Sequence, residues 1–145
     1  MSMVLDIQKH AFKESSDKGR WVELSEGGEV LVARWNNPEF RKLQTKLYQD
    51  YRNPRANGPR IKGNKIPPQV QEEITQKLVE KTILMDWRGF SSGTEEFAFT
   101  PENKKLILTD ERFRWIFDEI VAAAMDEEAY RNEGIEEDLG NSEAA

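Results

Sequence analysis

The sequence of 145 residues contains no cysteine and a single histidine, His10. The absence of thiols excludes a disulfide framework and a cysteine zinc site, and one imidazole cannot form a structural metal site alone. A Ser-His-Asp arrangement would have to use His10 as its base. We therefore expect no metal, no cofactor and no enzymatic activity, and we interpret His10 as a surface or strand residue.

Long apolar runs and phosphate-binding motifs are also missing. The first 13 residues include Asp6, Lys9 and His10 and no continuous apolar run, which predicts neither a signal peptide nor a membrane span. Because no export signal is present, we expect a cytoplasmic protein. The glycines at 89 and 93 are accompanied by no lysine and follow a predicted helix, so they do not form a phosphate cradle.

Charge is distributed unevenly along the chain. The net charge is -6, yet residues 41–65 hold eight basic side chains against Asp50 alone. Residues 126–145 hold eight acids against Arg131 alone. The simplest interpretation is a solvated loop and a solvated tail, and the alternative is that each contacts the other or a partner.

The basic block also allows a nucleic-acid hypothesis. Its lysines and arginines lie near Tyr48 and Tyr51, and phosphates attract basic side chains while bases stack on aromatic rings. The sequence pI of about 5.0 and the absence of a known reader motif argue against it.

Local signals predict an α+β fold that is mainly helical. Two β-branched runs around the Gly27–Gly28 turn predict a β-hairpin over about residues 20–35, and residues 4–12 are a weaker candidate for a third strand. Asn37-Pro38 and Thr100-Pro101 each combine a capping residue with proline in the first turn, which is typical of a helix start. The helices are predicted at about 38–52, 68–86, 101–108 and 110–131.

The predicted organisation is one globular domain, residues 1–131, followed by a flexible acidic tail, residues 132–145. The hairpin or small sheet packs on about four helices. The tail has too little apolar material to fold. Residues 53–68 contain four prolines and two glycines among basic residues, and loops this long are functional or disordered more often than neutral.

Aromatic residues next to the glycine-rich turns are candidates for a protein-binding surface. Trp87, Phe90, Phe97 and Phe99 either belong to the core or line an exposed groove, and aromatic residues are enriched in binding hot spots. A second hypothesis assigns the basic loop, with Arg52, Arg55 and Arg60, and the acidic tail to self-association or to contact with another subunit.

The order of these segments resembles the tail assembly chaperones of long-tailed bacteriophages. The shared motifs, in chain order, are residues 21–24, 27–28, 30–34, 37–42, 83–90, 99–113, 127–131 and 139–142. The resemblance covers most of residues 20–142. Phe99 stands where the family pattern has tyrosine, and Gly140 stands where it has lysine.

This resemblance implies a role without catalysis. Such chaperones bind the hydrophobic tape-measure protein in the host cytoplasm, keep it soluble, help to recruit tail tube subunits and are absent from the finished virion. Many also exist as a longer form made by ribosomal frameshifting, and the shift would fall near residues 139–142 here. The alternatives are a structural component of the phage tail and, less favoured, a nucleic-acid-binding accessory protein.

Overall fold

The computed structural model of the protein describes residues 7–13, 17–52 and 66–131. The fold is α+β and mainly helical, as predicted, with a three-stranded antiparallel sheet packed against helices. The predicted basic loop, with Arg55 and Arg60, and the predicted acidic tail of residues 132–145 lie outside the described residues. No helix within the described ranges is long and apolar enough to cross a membrane.

The described elements follow one another in a mixed order. They are α1 (Ile7–His10), β1 (Arg20–Glu23), β2 (Glu29–Val32), α2 (Pro38–Arg52), α3 (Pro68–Leu78), β3 (Leu84–Arg88), β4 (Ser91–Ser92), β5 (Glu95–Glu96), α4 (Pro101–Thr109), α5 (Arg114–Ala124) and α6 (Glu127–Tyr130). A π-helical turn, Val79–Ile83, joins α3 to β3, and a 3-10 turn, Glu111–Phe113, precedes α5.

The predicted hairpin is present and is shorter than expected. Strands β1 and β2 pair with Trp21 opposite Leu31 and Val22 opposite Val30. Beyond Val32 the Ala33 amide donates to the carbonyl oxygen of Ile83 at 2.9 Å, and the Trp35 amide donates to that of Ala124, also at 2.9 Å. The residues after β2 are therefore held by the π turn and α5, not by a neighbouring strand.

The third strand of the sheet is β3. This corrects the predicted extent of the helix over residues 68–86, and it also corrects the expectation that residues 4–12 supply the third strand. The helix expected to reach residue 86 ends at Ile83, and the chain then pairs antiparallel with β2. The spacing of apolar residues in this segment suits a helix, but the open edge of β2 supplies backbone partners that only a strand can use. Val30 lies opposite Trp87, and the register shifts between Leu31 and Val32.

The N-terminal segment does not form the third strand that residues 4–12 were expected to add. Its described part, residues 7–10, is helical, so the expectation that His10 lies in a strand was wrong. Phe12 makes one isolated antiparallel bridge with Arg131. The position beside β2 is occupied by β3 on one side and by β1 on the other.

The last predicted helix, residues 110–131, is interrupted twice. Asp110 accepts a hydrogen bond from the Arg112 amide at 2.9 Å and starts a 3-10 turn, after which α5 runs to Ala124. A break at Met125 and Asp126 separates α5 from the short α6, and Arg131 already has an extended backbone. The apolar residues at 113, 116, 117, 120, 121 and 124, whose spacing predicts one helix, are thus divided between the 3-10 turn and α5.

One hydrophobic core connects the sheet to the helices. Its fully buried side chains come from β2, α2, α3, the π-helical turn, β3 and α5; the largest apolar ones are Phe40, Ile74, Ile83, Leu84 and Ile120. Complete burial of side chains of this size stabilises a fold by about 1.5–3 kcal/mol each. The core thereby fixes the positions of β3, α4 and α5, which carry the surface described below.

Tyr130 attaches α6 to the sheet and gives the fold a pH-dependent contact. Its side chain is 1% exposed, its hydroxyl donates to the Val32 carbonyl oxygen at 2.7 Å, and burial raises its pKa from 10.0 to about 12. A raised folded-state pKa means that this contribution to stability is complete below pH 10 and is lost as pH rises through 12. The full loss of stability should be about 3 kcal/mol, at about 1.4 kcal/mol for each unit of the pKa difference.

Tyr130→Phe should remove this alkaline loss. At neutral pH the variant should be about 1–2 kcal/mol less stable than the wild type, because the Val32 carbonyl loses a buried partner. Above pH 12 the two proteins should be about equally stable. Urea unfolding from pH 8 to 12 measures the difference, and a constant gap across that range would contradict the assignment.

Candidate functional site

An open groove of about 480 Å³ lies between the sheet side of the molecule and helices α4 and α5. One wall consists of the turn between β1 and β2, the link from β3 to β4, and Phe97, the residue that follows β5. The C-terminal half of α4 and the start of α5 form the other. The main apolar side chains along it are Leu24, Phe90, Phe97, Leu106, Phe113 and Trp115.

Two glycines let the backbone of the first wall pack closely. Gly28, in the hairpin turn, and Gly89, after β3, have φ angles of 74° and 76°. A Cβ atom on Gly28 would lie 2.9 Å from a ring carbon of Phe90. Larger residues here would displace the Phe90 ring, so the glycines determine how this ring lines the groove.

Trp87 supports this wall from inside the fold. Its ring is 5% exposed and lies nearly parallel to Phe90 and Phe97, with centroids 5.0 and 5.9 Å away. Its indole N–H donates to the carbonyl oxygen of Phe97 at 2.8 Å. Phe90 and Phe97 line the groove, whereas Trp87 holds them in place from the core.

Phe99 belongs to the same aromatic cluster and faces a different depression. Its ring meets Trp87 edge-on, with centroids 4.8 Å apart. On its other side it lines a shallow surface with Lys104, whose ammonium lies 5.2 Å from the ring centroid. Burial lowers the pKa of Lys104. Of the four aromatic residues proposed from the sequence, two therefore line the groove.

Leu106 is the most exposed apolar residue of the groove. It is 38% exposed, although Ile107 and Leu108 beside it are buried. Sequence reasoning missed Leu106, Phe113 and Trp115 as groove residues. A signal was available, because three consecutive apolar residues on a helix cannot all face one core.

Arg112 is the cation in the groove's described lining, and the carboxylate of Asp110 neutralises its charge. Arg112 forms a two-pronged ion pair with Asp110, with nitrogen–oxygen distances of 3.0 and 2.9 Å. This side-chain hydrogen bonding lowers the pKa of Asp110 and raises that of Arg112. Arg112 is therefore engaged with its own neighbour within the chain.

Carboxylates surround the rest of the groove. Glu26 lines it from the hairpin turn, and Glu119 accepts hydrogen bonds from the amide and hydroxyl of Ser25, each at 3.1 Å. The groove residues Ser91 and Ser92 pair with Glu96 and Glu95, all four being exposed. Successive residues of a strand point to opposite faces, so these two pairs place one glutamate on each face of the β4–β5 hairpin, next to the groove. The rim is consequently acidic.

Arg52 lies away from this groove. It is exposed at the end of α2, and its guanidinium lies 5.9 Å from the Tyr48 ring centroid. The tyrosines of the nucleic-acid hypothesis are partly buried, and their hydroxyls donate to Gln71 (2.8 Å, from Tyr48) and Glu73 (3.0 Å, from Tyr51) on α3. These rings fasten α2 to α3, which leaves less of them free for base stacking.

The groove offers a depression of defined shape with apolar area. Among the described residues, no group of three or more histidine, aspartate or glutamate side chains is placed to hold a metal ion. Its described lining provides apolar surface against which another molecule's apolar side chains can be buried, with Glu26 at its edge.

A family model matches most of this chain. The family of YdaY prophage proteins matches residues 35–141, which is most of the chain and includes both walls of the groove except the first hairpin. No curated protein and no solved structure matches the sequence.

Proposed function

This chain belongs to the YdaY prophage protein family and is phage-derived, and from that premise we propose that it is a tail assembly chaperone without catalytic activity. Its client is the tape-measure protein, which it binds and keeps soluble in the host cytoplasm. It helps to recruit tail tube subunits and leaves before the virion is complete. The resemblance described above supplies these partners.

The groove is the observation that carries this proposal. A chaperone for a long, amphipathic client needs an apolar depression that remains accessible when its own core is packed. Leu106 and the Phe90 and Phe97 rings provide it, and Leu106 keeps 38% of its surface exposed. The net charge of -6 favours solubility of the complex by mutual repulsion.

Two further parts of the proposal concern residues outside the groove. The basic loop and the acidic tail contribute to self-association or to contact with tube subunits, and a frameshift near codons 139–142 yields a longer form. The coding DNA tests the second point directly. A slippery heptamer there, followed by an overlapping reading frame, supports it, and an uninterrupted stop without such a heptamer contradicts it.

Leu106→Gln should weaken client binding without unfolding the domain. Glutamine keeps a good helix propensity and removes the exposed apolar contact of the groove. Leu106 has 38% of its surface left to bury, so its contribution to binding is about a third of the 1.5–3 kcal/mol of a fully buried leucine, and affinity should fall by about three- to sevenfold. On co-expression with the tape-measure protein of the same phage, the soluble fraction of the client should decrease severalfold.

Met125→Gln is the matched control. Met125 is also an exposed apolar residue, at 50%, and it lies at the end of α5 outside the groove lining. Both variants should keep the wild-type melting temperature within a few degrees. Equal client solubility with Leu106→Gln and wild type, or an equal loss with both variants, would remove the groove from the proposal.

A structural tail component is the second candidate, because membership of a prophage family fits it equally well. Mass spectrometry of purified particles separates the two. A chaperone is absent from finished tails, whereas a structural component is present in them at a fixed ratio to the tube protein. Salt-sensitive DNA binding by the purified protein would instead favour the nucleic-acid accessory role.

A further inference from the structure

The charge of the groove's rim indicates what kind of segment can bind there. Glu26 lies in the groove lining, and Glu95 and Glu96 lie directly across β4–β5 from two lining serines. Glu119 holds the hairpin turn to α5 through Ser25. Glu26 lies in the lining itself, and Glu95 and Glu96 are exposed on the strand paired with its serines, so exposed carboxylates adjoin a surface whose middle is apolar.

No equivalent positive charge is presented to an incoming segment by the described lining. Its cation, Arg112, already makes a two-pronged pair with Asp110. Glu95 and Glu96 are exposed, so a partner's cations can reach them without desolvating a buried group. An acidic segment would meet repulsion along this rim, and a basic one would meet attraction.

We infer that the groove selects an amphipathic helix whose apolar stripe is flanked by lysine or arginine. This inference rests on the proposed client-binding function and adds the charge of the client segment to it. The apolar walls take anchors at positions i, i+3, i+4 and i+7 of the helix. The glutamates then face the basic residues that border this stripe. Among equally apolar segments, the groove therefore prefers those with basic flanking residues.

Three synthetic peptides of about 18 residues test the inference, since shorter isolated helices are marginal in water. They share one leucine stripe at i, i+3, i+4 and i+7 and differ in their flanking residues, which are lysine, glutamine or glutamate. Fluorescence anisotropy of the labelled peptides measures affinity for the full chain. The lysine peptide should bind about tenfold more tightly than the glutamate peptide at low salt, and the gap should narrow at physiological ionic strength.

A double variant identifies the carboxylates responsible. Glu95→Gln with Glu96→Gln should reduce the difference between the lysine and glutamate peptides severalfold. The matched control is Glu102→Gln with Glu128→Gln, which removes two exposed carboxylates outside the groove lining and should leave the difference unchanged.

The outcomes separate this inference from the function on which it rests. Equal binding of all three peptides, each weakened by Leu106→Gln, would overturn the charge preference and leave the client-binding groove intact. No binding of any peptide, or binding indifferent to Leu106→Gln, would overturn both. A dimer in sedimentation that Leu106→Gln abolishes would make a second copy the occupant and would also overturn the inference.

Discussion

Trp87→Ala is expected to lower the free energy of unfolding by about 3–5 kcal/mol, the range typical of a buried aromatic residue cut back to alanine. The ring is 5% exposed and contacts Phe90, Phe97 and Phe99. Its removal leaves a cavity beneath one wall of the groove and deprives the Phe97 carbonyl of its indole partner. For a domain of this size, such a loss is a large part of the total stability.

Urea unfolding measures this effect, and Trp87→Phe is the control. Phenylalanine keeps much of the ring stacking and loses the indole hydrogen bond, so its cost should be about 1–2 kcal/mol. A wild-type midpoint for Trp87→Ala would contradict the placement of this ring in the core. The expected instability also means that Trp87→Ala cannot serve as a folded variant for client binding, and Leu106→Gln takes that place.

Asn37→Ala is the second substitution with a large expected effect, at about 3 kcal/mol. Asn37 is 1% exposed, and its side-chain oxygen accepts from the Phe40 amide at 2.9 Å. Its side-chain nitrogen donates to the carbonyl oxygens of Arg34 (2.9 Å) and Thr82 (3.1 Å). Alanine would remove the cap of α2 and leave buried backbone groups without these partners.

Thr100→Ala is the matched control for capping alone. Thr100 is partly buried, caps α4 through one hydrogen bond from the Asn103 amide, and has no long-range bond comparable to that between Asn37 and Thr82. Its loss should cost about 1 kcal/mol. If urea unfolding gives the same loss for Asn37→Ala and Thr100→Ala, the contacts of Asn37 with β2's end and the π turn contribute little.

The elements that the sequence predicts well are those with local signals. The Gly27–Gly28 turn, the Asn37-Pro38 start of α2 and the Thr100-Pro101 start of α4 each depend on residues within one turn of chain. Capping and positive φ act over a few residues, so a single sequence contains the whole signal.

Strand β3 depends on a partner far away in the chain. Residues 84–88 pair with β2, more than 50 positions earlier, and their apolar spacing alone suits a helix equally well. The break at Met125 and Asp126 has a similar origin, because Tyr130 must reach the Val32 carbonyl. Long-range backbone and side-chain partners decide these cases, and no window of sequence contains them.

The candidate site also has one part that the sequence predicts from neighbouring residues and one part that depends on long-range packing. The aromatic cluster around Trp87 is close in sequence and was predicted as a binding surface or core, and Phe90 and Phe97 do line the groove. The opposite wall, with Leu106, Phe113 and Trp115, reaches the cluster only through the packing of α4 and α5. The run of three apolar residues at 106–108 was the sequence signal that pointed to an exposed one.

The most direct test of the client-binding groove is site-specific photo-crosslinking from position 106 during co-expression with the tape-measure protein. A photoreactive phenylalanine analogue at position 106 should give an adduct whose tryptic peptides include the tape-measure protein, and the same analogue at position 125 should give little or none. Equal adducts from both positions, or a soluble client with no adduct from position 106, would contradict the account.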